Sequence, residues 1–103
     1  MGYLSHNATA EEARTTAGMG LAEWGRFLAI TREEGRAIAE AHPTWSWADV
    51  PAREKANVHA RVNAQLLEEG APQVGEDIIR WRMAISVRAF LNLKSIYSFF
   101  LSL

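Results

Sequence analysis

Seven glycines and prolines cut this chain into pieces of helix length, and the pieces between them carry the spacing of amphipathic helices. The breakers are Gly18, Gly20, Pro43, Pro51, Gly70, Pro72 and Gly75. Glycine weakens a helix and proline removes a helix donor, so ordered elements are expected to end near them. With 103 residues there is room for one hydrophobic core, and nearly half of the residues are apolar. That balance is ordinary for a globular domain and too apolar for a disordered one. The expected fold is all-α: one domain spanning 1–103, a small bundle of four to five helices with a long C-terminal helix, and residues 1–8 a flexible lead-in.

Local signals place the helices at about 10–17, 21–30, 32–41, 51–69 and 76–98. Thr9 and Glu12 have capping-box spacing, in which the hydroxyl bonds the third amide and the carboxylate returns to the cap amide. Leu21, Trp24 and Leu28 recur at i, i+3 and i+7. Thr31 and Glu34 repeat the capping-box spacing and predict a new helix start at that point. His42 precedes Pro43 and should end the helix, because a residue before proline avoids the α region. Residues 44–51 read as a connector or a single short turn. Pro51 suits the first position of the next helix, where a missing N–H costs nothing. Val58, Val62 and Leu66 form its stripe, and Gly70 is placed to close it in the left-handed conformation. Glu76 and Asp77 favour a helix start beside them, since anionic side chains are stabilised at the N-terminus. The expected core is Trp24, Phe27, Leu28, Ile38, Val58, Val62, Leu66, Ile78, Trp81 and Ile85.

Charge is distributed unevenly along the chain. Residues 1–77 carry a net charge of −5, whereas 78–103 contain Arg80, Arg82, Arg88 and Lys94 with no acid. The split points either to an internal match between the halves or to a basic surface for an anionic partner. On a helical projection Arg80, Arg88, Lys94, Ser95, Ser98 and Ser102 share one side, and Ile78, Ile85, Ala89, Leu93, Ile96 and Phe100 the other.

Chemistry-bearing motifs are scarce. The chain has no cysteine, so a disulfide, a thiol nucleophile and a cysteine zinc site are excluded. His6, His42 and His59 lack metal-ligand spacing, and there is no P-loop, GxGxxG or GxSxG. No cofactor, metal or small-molecule substrate is inferred, and the chain is expected not to be an enzyme. The first ten residues have no basic start and no apolar run, which with the lack of cysteine suggests an intracellular protein.

Three interaction readings follow. The first is a protein-interaction or structural module, with self-association as a homodimer through the C-terminal helix as its simplest form. Phe90, Tyr97, Phe99 and Phe100 point several ways around that helix, more than a small core can cover. Trp45 and Trp47 form a second candidate contact, either as an exposed aromatic platform or as plugs between helices. The second reading is nucleic-acid binding: a helix, a Gly/Pro turn and a basic helix share the layout of helix-turn-helix modules, with Arg80, Arg82, Arg88 and Lys94 as contacts. Against it, the turn from Gly70 to Gly75 exceeds the usual length, and Glu76 and Asp77 lie where a phosphate should. The third is attachment to a membrane surface through the same helix. A span is disfavoured because a window of roughly 20 residues must include Arg88.

Overall fold

The computed structural model describes residues 4–101, with side chains through Leu93. It is all-helical, with four helices: α1 (Ala10–Ala17), α2 (Leu21–Ala41), α3 (Ala52–Glu68) and α4 (Glu76–Leu101). A single 3-10 turn, Trp47–Asp49, lies between α2 and α3. α2 packs against both α3 and α4, and the 3-10 turn packs against α4.

The local signals act as expected at most helix ends. Glu12 N donates to Thr9 Oγ1 at 3.1 Å, and Thr9 N donates to Glu12 Oε1 at 2.8 Å, so the capping box of α1 is complete. Gly18 and Gly70 take positive φ of 69° and 70°, the left-handed closure that a side chain would oppose. At Ser46 a further cap forms, with Asp49 Oδ2 accepting from Ser46 N at 2.9 Å. Pro51 sits one residue earlier than its spacing suggests, at the cap position of α3 rather than inside the helix.

The expected break at Thr31 is absent, and 21–30 and 32–41 are one helix of 21 residues. Thr31 is fully buried, and its Oγ1 donates to Phe27 O at 2.7 Å, one turn back. Glu34 does not return to cap it; its carboxylate receives Arg61 of α3 at 2.8 and 3.0 Å. Threonine serves equally well as a cap or as a back-bonded helix residue. Here burial against α4 selects the second.

The core also departs from expectation. Trp24, Phe27, Val58, Val62, Leu66, Ile78 and Trp81 are buried, whereas Leu28 and Ile38 are half-buried and Ile85 is 40% exposed. Met19, Ile30, Trp47, Val50, Val74, Ile79, Met83 and Val87 complete the interior. Trp24 lies between Phe27 and Trp81, with ring centroids 5.1 and 6.2 Å away, within the range of favourable aromatic pairs.

Within the expected lead-in, the described residues 4–8 contact α4 at both of their ends. Leu4 is buried, its N–H donates to Asp77 Oδ2 at 2.7 Å, and its carbonyl accepts from Arg80 Nη2 at 3.1 Å. The Trp81 indole donates to Ala8 O at 2.8 Å. The loop before α4 is held from below by Asn63, which donates to Val74 O at 3.0 Å and accepts from Val74 N at 2.8 Å. These contacts fix the start of α4 and so decide which of its flanks faces the body.

Candidate interaction surface on the last helix

α4 is 26 residues long, about 39 Å at 1.5 Å per residue, against a molecule whose two shorter dimensions are 27 and 26 Å. Its first three turns are anchored by Ile78, Ile79, Trp81, Met83, Ser86 and Val87, all buried. Phe90 and Leu91 are half-buried, and Asn92 and Leu93 are exposed. Among the described side chains the cover of α4 thus thins from Phe90 to Leu93.

The exposed flank carries Ile85, Ala89 and Leu93, at i, i+4 and i+8; Leu93 is 60% exposed. The face that the projection grouped as apolar is therefore the solvent flank along this part of α4. The body instead takes Met83, Val87 and Phe90, about a quarter-turn or more away. Among the described residues no helix is long and apolar enough to cross a membrane.

The arginines of α4 have different roles. Arg82 points into the α2–α4 interface, where Nε donates to Thr31 Oγ1 at 2.7 Å and Nη2 to Leu28 O at 3.1 Å. Both partners are neutral oxygens. Burial lowers its pKa, and the like charge of Arg32 adds to the effect. Arg80 is half-buried and engaged with Leu4 O. Arg88 is exposed. Four carboxylates of the acidic part are paired within it: Arg26 pairs with Glu69, Arg36 with Glu33 and Glu40, and Arg61 with Glu34. These carboxylates raise the pKa of Arg36 and Arg61 through hydrogen bonds and charge. An internal match between acidic helices and α4 is thus not made through Arg82 or Arg88.

The two central tryptophans also separate. Trp47 is buried, 5% exposed, and plugs the space beside α4, with Lys55 Nζ 5.6 Å from its ring centroid. Trp45 is half-buried and stacks on His42, ring centroids 3.5 Å apart and planes 9° from parallel. The pair is therefore not a continuous aromatic platform. Tyr97, Phe99, Phe100 and Lys94, also read from the sequence as contact residues, have side chains outside the described residues.

Two features escaped the sequence reading. The solvent flank of Ile85, Ala89 and Leu93 was visible as an apolar spacing, but its first member, Ile85, was read as core. Lys55 gave no signal, because only the fold carries it from α3 to Trp47 and the outer side of α4. No family model, curated protein or solved structure matches this chain.

Proposed function

We propose that the chain is a non-enzymatic helical interaction module that self-associates through α4. The observation that carries this reading is the apolar flank Ile85–Ala89–Leu93 on the solvent side of the longest helix of the fold. Such a stripe is stable in water only at the cost of exposed apolar area, and a second helix removes that cost. The occupant we favour is a second copy of the same chain. Ile85, Ala89 and Leu93 are all neutral and Arg88 stands at the edge of their flank, so two copies can meet across a twofold axis with the like charges at the rim. The spacing continues in the sequence through Ile96 and Phe100.

Sedimentation equilibrium of the full chain tests the proposal. We expect a concentration-dependent dimer, and we expect Ile85→Glu combined with Leu93→Glu to abolish it while the far-UV spectrum stays unchanged and the thermal midpoint loses its dependence on concentration. A monomer at every concentration, or a double variant that dimerises like the parent, overturns the reading.

Nucleic-acid binding by α4 has less support. Arg82 spends its donors on Leu28 and Thr31, Arg80 is engaged with Leu4, and Lys94 lies outside the described side chains, which leaves Arg88 as the outward-facing cation. Membrane attachment rests on the same apolar flank, and failure of the parent chain to co-float with anionic vesicles would count against it.

A further inference from the structure

We propose that a groove on a different flank of α4 docks an acidic segment of a partner protein that carries an apolar anchor residue. The groove has a volume of about 380 Å³ and runs between the 3-10 turn, α3 and α4. From α4 it takes Ala84, Arg88 and Leu91, a flank centred more than a quarter-turn from that of Ile85, Ala89 and Leu93, with Arg88 and Ile85, three residues apart, as neighbours at the border. Its floor is therefore separate from the self-association flank, and Arg88 stands at the border of the two. A second recess of about 270 Å³ adjoins it and shares Trp47, Lys55 and Arg80.

The lining has two chemical halves. Trp47, Ala84 and Leu91 form an apolar floor. Lys55 and Arg88 supply two positive charges, Arg80 lies beside them with Nη2 held by Leu4 O, and no carboxylate lines this groove. The adjoining recess holds one carboxylate, Glu76. Among the described residues neither Lys55 nor Arg88 has an ion-pair partner. In this they differ from Arg26, Arg36 and Arg61, each of which meets a glutamate. Lys55 lies over the Trp47 ring, which places its ammonium beside the apolar floor.

Charge complementarity identifies the occupant. A cationic rim selects carboxylates and speeds their encounter, while a small apolar floor gives one side chain a seat. A nucleic-acid strand would need a row of cations along its phosphates, and the remaining described cation of α4, Arg82, faces inward. A short acidic segment with a leucine-like or phenylalanine-like anchor satisfies both halves of the groove at once.

The test is selection of a random peptide display library on the full chain, followed by anisotropy titration of the labelled winners. We expect enriched peptides that combine acidic residues with one large apolar residue. We expect Arg88→Glu to weaken them by about tenfold or more, Lys55→Gln to weaken them less, and added salt to weaken binding to the parent. An Ile85→Gln, Leu93→Gln double variant, which weakens the apolar stripe without adding charge beside Arg88, should bind them as the parent does, which separates this result from failure of self-association. Enriched peptides without acidic residues, or affinity indifferent to Arg88→Glu in a variant with a parental far-UV spectrum, overturn the proposal. So does a single-stranded oligonucleotide that binds with the same dependence on Arg88 and displaces the peptides.

Discussion

Gly35 of α2 lies directly against Ser86 of α4, so closely that a Cβ built on Gly35 would fall on the Ser86 hydroxyl, 2.9 Å from Ser86 Cβ and 3.1 Å from its carbonyl carbon. Ser86 Oγ in turn donates to Thr31 O at 3.0 Å. Glycine inside a helix is unfavourable by about 1 kcal/mol relative to alanine, so its presence here reflects the crossing rather than helix preference.

Gly35→Ala is expected to destabilise the chain despite that gain. Overpacking costs typically about 1–3 kcal/mol, and the Ser86 backbone cannot turn aside, so a net loss on the order of 1–2 kcal/mol should appear in urea unfolding. Gly25 is the control. It lies in the same helix with nothing within 4 Å of a new Cβ, and Gly25→Ala should stabilise by about 0.5–1 kcal/mol. Equal effects at the two positions would show that the α2–α4 crossing is looser than described.

Thr31 and Arg82 should be energetically coupled. Thr31→Val removes the acceptor of Arg82 Nε and leaves that donor partly buried without a partner, at a cost of about 1–3 kcal/mol. Arg82→Met removes a desolvated cation that has no carboxylate partner, and should be close to neutral. In the Arg82→Met background the cost of Thr31→Val should fall by about 1 kcal/mol or more, read from a double-mutant cycle by denaturant unfolding. Strict additivity would assign Thr31 a purely steric role.

Asn63 holds the loop before α4 through both backbone groups of Val74, a buried residue. Asn63→Ala leaves the Val74 N–H without its acceptor, whereas Val74 O keeps the His59 ring at 2.8 Å. The expected loss is about 1–3 kcal/mol, and Asn63→Asp, which restores the acceptor but not the donor, should also lose stability. Thermal unfolding of the two variants checks this; a parental midpoint for Asn63→Ala would mean that water replaces the side chain.

Trp81 both fills the core and anchors the N-terminal segment through Ala8 O. Trp81→Phe keeps an aromatic ring but removes that donor, and should cost about 1–2 kcal/mol. Hydrogen exchange at the Leu4 and Ala8 amides should quicken by more than exchange in α3. If stability falls while exchange over residues 4–8 keeps pace with α3, the indole acts through packed area alone.

Where this chain's helices begin and end was largely legible from its sequence. Thr9 with Glu12, Gly70, and Glu76 with Asp77 mark their boundaries through atoms at most a few residues away, and Val58, Val62 and Leu66 face inward as their spacing requires. Contacts distant in sequence decided the rest. Thr31 has the spacing of a cap, yet it continues a helix because Arg82 and Ser86, more than fifty residues later, pack on it. The apolar positions of α4 run around much of its circumference, so their period does not choose between the flank of Met83, Val87 and Phe90 and the flank of Ile85, Ala89 and Leu93. The close seat of Ser86 on Gly35 and the ties from Leu4, Ala8 and Asn63 at the start of α4 make that choice. The same placement brings Lys55 and Arg88 to one groove and turns Arg82 away from it. Capping is settled by short-range hydrogen bonds written in adjacent residues, whereas the choice of a buried helix face is a global minimum over partners that sequence spacing does not bring together.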